Sequence, residues 1–486
     1  MTRRKKTVLI LLSLFPGLPL LLVAAALAIR GCDEPPPADE DLKVQRLEIP
    51  NDQNAFTYFQ QAAKKLKLPK PDAPLARQAQ DGKNEAEGPQ NEQELFYEIA
   101  AGRRWDGPFV ERVLKSNAEA LALWEQGMAA PHFQTLEVKT WKEELTHGWS
   151  YLPIGNLAML RARAAAKRGD HEAAFAEGLK LVRFGWRIEG DKGCLIEYLV
   201  GIAVHGMGHG LMREMLSGCN LPPARLRHYA AELAKCPADA QGLADAFRNE
   251  YEVQWEFVEG LVSDKYTPAS VTGPSSPSVR ELNPRVEIPW GTMRAAVFNP
   301  QATRRVFAET ARSRIANVSK AFRAMTPEDP TLSEFSLLRD VFSGNTLGRS
   351  ICRILLPASH GALEQKCRAN VDLAATRILL ALKAYKLEKG RLPATLAELA
   401  PECLDSVPLD DYDGQPMRYN AARKVVYSVG KDLKDDGGSG TRAEHVAAKR
   451  KEAEAAGEKW TDEDQKGAEQ EFNEWDQPDA CFEIKF

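Results

Sequence analysis

Residues 368–389 place the strongest constraint on the fold. Val371, Ala375, Ile378, Leu382 and Tyr385 recur at steps of four and three, one apolar stripe of a helix. Leu373, Leu380 and Leu387 widen that stripe over much of the circumference. A helix apolar on most sides needs neighbours on most sides, so this one belongs inside a layered domain. Gly390 stands where a left-handed C-terminal cap belongs. Thr395 and Glu398 have the spacing of a capping box for a short second helix ending near Ala400. Asp413-Gly414 is a hairpin-grade turn, and residues 424–429 (KVVYSV) read as a strand.

Upstream the chain is helical by pattern. Apolar residues recur at helical spacing over 54–66, 92–101, 109–127 and repeatedly between 141 and 236. Gly169-Asp170 interrupts one such run as the turn of an αα-hairpin. Further helices are expected over 245–261, from Asn299-Pro300 to about 324, and over 340–356. The fold class expected is mainly α: an N-terminal membrane helix, a multi-helix body with αα-hairpins, and a small C-terminal α+β module with a long helix on a short antiparallel sheet. The expected organisation is an anchor or signal (1–32), an acidic, Pro-rich spacer (33–50) and a helical domain (51–263). A Pro/Ser-rich linker (264–292), a helical segment (293–360) and the α+β module (361–486) follow. Within the first helical domain, residues 69–91 have the composition of a flexible loop. In the last module, residues 442–474 are rich in Ala, Lys and Glu and read as an inserted pair of solvated helices.

Arg3, Arg4, Lys5 and Lys6 precede an uninterrupted apolar run over 8–29. As a helix it would be about 33 Å long, enough for a bilayer core. Acidic residues follow it, so the positive-inside rule puts the N-terminus in the cytoplasm and the body outside. Cleavage near Ala24–Ala28 and lipidation at Cys32, after Ile29-Arg30-Gly31, are the alternatives to an uncleaved anchor. All three export the body, giving a single-pass cell-membrane or periplasmic location with the inner membrane as one partner. Protein partners are expected as well. With 64 basic against 68 acidic residues, the net charge of −4 disfavours nucleic acid as a partner.

Eight cysteines in an exported chain permit disulfides. Cys219 and Cys236 flank a helix about 20 Å long, too far apart to bridge. Cys352 with Cys367, and Cys403 with Cys481, are candidate pairs; buried free thiols are the alternative. His205 and His209 lie one helical turn apart, as in HExxH zinc sites, but Gly206 stands where that motif has its general-base Glu. Glycines at 201, 206, 208 and 210 on the same helix favour close helix packing instead. Glu250, Glu252 and Glu256 share a polar helix face. With the histidines they are the only basis for an alternative reading as a metal-dependent envelope hydrolase. No nucleophile elbow, phosphate loop or dinucleotide fingerprint is present, so no reaction is evident.

The stretch Tyr385…Gly390-Arg391-Leu392-Pro393, then Pro408-Leu409-Asp410-Asp411-Tyr412-Asp413-Gly414-Gln415-Pro416…Tyr419, then Tyr427-Ser428-Val429-Gly430-Lys431-Asp432, resembles the C-terminal part of type II secretion major pseudopilins. The remainder looks like large exported proteins of planctomycete-type bacteria. The pseudopilin likeness covers under a quarter of the chain. It implies a long helix on a small antiparallel sheet, and an acidic loop that binds calcium. Asp432, Asp435 and Asp436, followed by Gly437-Gly438, and Asp476 and Asp479 before the last strand, are the calcium ligands it implies here. Pseudopilins have a cleavable leader running directly into the domain helix. Here the apolar segment lies more than 300 residues upstream, so a secretion-system accessory role is an alternative and filament assembly is not expected.

Overall fold

The computed structural model describes residues 35–70, 91–140, 142–143, 148–266, 298–327, 345–356, 361–457 and 459–486. The apolar run 8–29, Cys32, most of the loop 69–91 and nearly all of the linker 264–292 lie outside the described residues.

Fourteen α-helices and three short strands make up the described fold. The first four helices are α1 (Ala55–Lys65), α2 (Glu92–Ala100), α3 (Gly107–Ser116) and α4 (Ala118–Ala129). Asn54, Asn91 and Asp106 cap α1, α2 and α3, each side chain accepting from a first-turn N–H. The single helix expected over 109–127 is broken at Asn117. Its fully buried amide bonds both the N–H and the C=O of Lys67 as well as Val113 O, so the chain bends to satisfy a long-range contact that no local pattern records.

The expected hairpin forms from α5 (Tyr151–Lys167) and α6 (His171–Glu189), with Gly169 at φ 79° and Asp170 capping α6. α7 (Leu195–Leu216) follows. It is the one described helix long and apolar enough to cross a membrane, yet most of it is buried, against α5, α6, α9 (Ala240–Val262) and α12 (Ala362–Lys389). Glycines permit this burial. A Cβ on Gly185 of α6 would lie 2.2 Å from His205 N, and one on Gly208 of α7 would lie 2.7 Å from Val182 N. The two backbones therefore touch where side chains would normally separate them.

Helices α8 (Pro223–Leu233), α10 (Pro300–Ile315) and α11 (Thr346–Leu355) complete the body. The long C-terminal helix α12 begins earlier than its periodicity indicated and ends on Gly390 at φ 73°. Nearly all of its apolar stripe is buried, although Leu387 is 53% exposed. It packs on α8, α7 and the sheet, so one core joins Phe175, Met212, Leu226 and Tyr229 to Ile378, Leu382, Val426 and Phe482. That core runs across position 361, where the sequence reading divides body from module.

The sheet has the order β1 (Arg418–Asn420), β2 (Val425–Ser428), β3 (Ala480–Glu483), antiparallel throughout, with Tyr427 opposite both Arg418 and Cys481. Between β2 and β3 lie α13 (Arg442–Ala455) and α14 (Asp462–Glu471), which pack on each other and expose most of their side chains. The expected insertion is therefore two short, capped helices.

Residues 39–54, expected as largely spacer, are strapped across the body. Leu42 is fully buried among Tyr251, Val258 and Phe307. Asp39 pairs with Arg304 and Tyr251, Asp41 with Arg312, and the Arg46 guanidinium donates to Lys192 O and Thr135 O. The acidic residues that give this segment its spacer-like composition are themselves among the anchors, since their cationic partners come from distant elements.

Candidate functional site

The acidic loop after β2 is held from within. Asp479, fully buried at the start of the last strand region, accepts N–H bonds from Gly438 (2.8 Å), Ser439 (3.3 Å) and Asp436 (3.4 Å). Gly437, Gly438 and Gly440 all have positive φ, which lets the loop curl its amides onto that carboxylate. Burial pushes the Asp479 carboxyl up from its ordinary range, against those three bonds. Asp435 accepts from Tyr427 Oη (3.1 Å), Gly437 N (3.0 Å) and Arg418 Nε (3.0 Å). Burial works against it, but these donors outweigh burial and hold its carboxyl low. Asp432 accepts from Lys434 N, and Asp476 from Asn473 Nδ2 at 2.8 Å. Asp436 is exposed.

Four of the five implied calcium ligands thus have partners of their own. Calcium needs six to eight oxygens whose lone pairs converge on the ion. Here Asp479 and Asp435 accept from N–H, O–H and guanidinium donors, which a bound ion would have to replace. Among the described residues no three His, Cys, Asp or Glu side chains are arranged to hold a metal.

The centre of the module is a residue that the sequence reading passed over. Arg418 of β1 directs Nη1 to Asp410 Oδ2 (3.3 Å), Nη2 to Asp413 Oδ2 (2.5 Å) and Nε to Asp435 Oδ2 (3.0 Å). Asp410 is fully buried and also accepts from Tyr412 N, Ser428 Oγ and Val429 N. Burial raises the Asp410 carboxyl nonetheless. Asp410 and Asp413 were legible as a turn; that the turn faces a guanidinium across the sheet was not.

The histidine pair is also internal. His205 and His209 are buried, with ring centroids 4.7 Å apart. His205 Nδ1 lies 2.7 Å from Oε1 of Glu189, itself fully buried, whose Oε2 accepts from Asp239 N. Burial pushes His209 well below its ordinary value, with the charges of His205 and Arg213 adding to the effect, so it is neutral at pH 7. The three glutamates of α9 are spread over separate contacts. Burial raises Glu250; Glu252 accepts from Val44 N of the strap; Glu256 accepts from Lys265 Nζ and Tyr266 Oη.

A second buried carboxylate pair had no sequence signal at all. Asp191, in the α6–α7 turn, and Glu197, in the first turn of α7, both approach the Thr135 hydroxyl, at 2.5 Å and 3.2 Å. Asp191 also accepts from the amides of Thr135 and Lys192, and Glu197 from the amide of Cys194. One hydroxyl hydrogen cannot be donated to both carboxylates at once, so the two compete for Thr135. Burial, then the charge of Glu197, pushes Asp191 up to about 7.

Among the described residues are two open grooves of about 550 and 460 Å³, one lined by Phe133, Arg187, Trp186 and Cys236, the other by Arg103, Trp105, Arg163 and Lys167. Neither is lined by the histidines, by Asp191 or by Glu197. Two of their cations are already engaged: Arg163 pairs with Glu214 and bonds Ala100 O, and Arg187 bonds Met128 O and the carbonyl of Ala130. All seven described cysteines are buried free thiols, and the pairs 352–367 and 403–481 are not formed. No protein-family model matches the chain, and no curated protein or solved structure matches it significantly.

Proposed function

We propose that this chain is a non-catalytic, membrane-anchored extracytoplasmic protein whose helical body serves as an interaction scaffold and whose pseudopilin-like C-terminal module is fused into that body. The observation that carries this reading is the burial of α12. A filament subunit must offer its long helix to other copies, whereas here α12 is covered by α7, α8 and the sheet of its own chain. The chemistry-bearing side chains favour the same reading, because the histidine pair and the Asp191–Glu197 pair are sealed in the core, away from both grooves.

The test is fractionation of the full chain followed by crosslinked affinity capture from detergent-solubilised envelope. The expected result is retention in the membrane pellet after alkaline carbonate extraction, with defined protein partners. Recovery in the cytosolic fraction, or long homopolymers crosslinked through α12, would overturn the proposal. Specific recovery of secretion-system components would assign the accessory role instead.

A further inference from the structure

We infer that the Arg418 guanidinium is the resident cation of the C-terminal module and holds the acidic loop closed in the role that the pseudopilin likeness would give to calcium. Three carboxylates from two segments meet on this one side chain. Asp410 and Asp413 come from one hairpin turn, and Asp435 from the loop after β2. Each of the three guanidinium nitrogens faces a different carboxylate, so the planar fork works as a three-way bridge that a single ammonium could not reproduce. Asp410 and Asp413 are almost wholly inaccessible, with side-chain exposures of 0% and 5%, and Arg418 is 20% exposed. Removing the guanidinium would leave buried carboxylates without a counter-charge, a situation that folded proteins avoid.

The second half of the device is the Asp479 cradle. Its carboxylate gathers the amides of 436, 438 and 439, so the loop is fixed by a buried anion on one side and by Arg418, through Asp435, on the other. The loop therefore has its cation and its anion built in. A divalent ion would have to displace Arg418 before it could reach Asp410 and Asp413. Deleting the guanidinium should expose a three-carboxylate site that the wild-type chain does not offer.

The comparison with calcium rests on the pseudopilin-like reading; the ion-pair geometry stands without it, and the experiment separates the two. Hydrogen exchange at the amides of Gly438 and Ser439 is followed in the full chain in mild detergent, with EGTA or with about 1 mM calcium, the affinity range of extracellular calcium modules. Wild type is expected to exchange equally in both. Arg418→Ala is expected to exchange at least about tenfold faster in EGTA and to recover protection in calcium. Wild-type protection that depends on calcium would overturn the inference, and so would an Arg418→Ala loop as protected as wild type in EGTA. Failure of calcium to restore the variant would overturn the equivalence of guanidinium and ion. Should Arg418→Ala not fold, Arg418→Lys keeps a charge but loses the fork. It is expected to show a smaller acceleration, partly reversed by calcium, and equal exchange in both buffers would refute the bridge.

Discussion

Asp191→Asn should remove a pH dependence that wild type carries in its core. Burial and Glu197 raise Asp191 from 3.8 to about 7 in the folded chain. In the unfolded chain its carboxyl returns to about 3.9. The folded pKa is the higher one, so the native state holds a proton that the unfolded state gives up between those values. Stability from this group is fully present below pH 4 and declines as pH rises toward 7, at about 1.4 kcal/mol per pH unit. Over roughly three units the loss is about 4 kcal/mol, an upper figure because Asp191 interacts strongly with a neighbouring carboxylate. Asparagine mimics the protonated acid. Its carbonyl can accept from the Thr135 and Lys192 amides, and its NH₂ can donate to the Thr135 hydroxyl, freeing that hydrogen for Glu197. Urea unfolding of wild type and variant from pH 4.5 to 8.5 is the assay. The two should be close at the acid end, with the variant gaining by up to about 3–4 kcal/mol at the alkaline end. Glu197→Gln should flatten the same profile. A wild-type minus variant difference that stays constant over the range would refute the raised Asp191 carboxyl.

Three further outcomes are expected. Gly185→Ala places a Cβ 2.2 Å from His205 N, so α6 and α7 must separate; chemical denaturation should show a loss of about 1–3 kcal/mol or more, whereas Gly169→Ala, with no neighbour near its Cβ, should show only the smaller cost of its positive φ. Leu42→Ala removes a fully buried strap residue and should lower stability by about 2–5 kcal/mol and expose residues 39–54 to limited proteolysis; cleavage there in wild type at the same rate would show that the strap is not docked. Cys352, Cys367, Cys403 and Cys481 should resist alkylation in the native protein, and peptide mapping after alkylation in denaturant should recover all four as thiols without reductant.

Much of the fold was legible because it is locally encoded. Asn54, Asn91, Asp170, Thr395 with Glu398 and Gly390 all occupy the cap positions that their side chains or their freedom of φ prescribe. The break at Asn117 and the docking of residues 39–54 were not legible, since each depends on a partner 50 to more than 200 residues away. For the candidate site the same division holds. Asp432, Asp435, Asp436, Asp476 and Asp479 stood out as an acidic cluster, but composition does not say whether a carboxylate meets an ion, an amide or a guanidinium.

The sequence by itself determined the helical class, the hairpin at Gly169-Asp170, the long buried helix over residues 368–389 and the strand at 424–429. Those features follow from periodicity, capping and turn chemistry, which act over a few residues. Only the tertiary structure decided that α12 is sheathed by α7 and α8, that Asp191 and Glu197 meet over Thr135, and that Arg418 sits among three aspartates. Those outcomes depend on which distant surfaces exclude water together. Burial then sets whether a charge is solvated, paired or neutralised, and no local pattern carries that information.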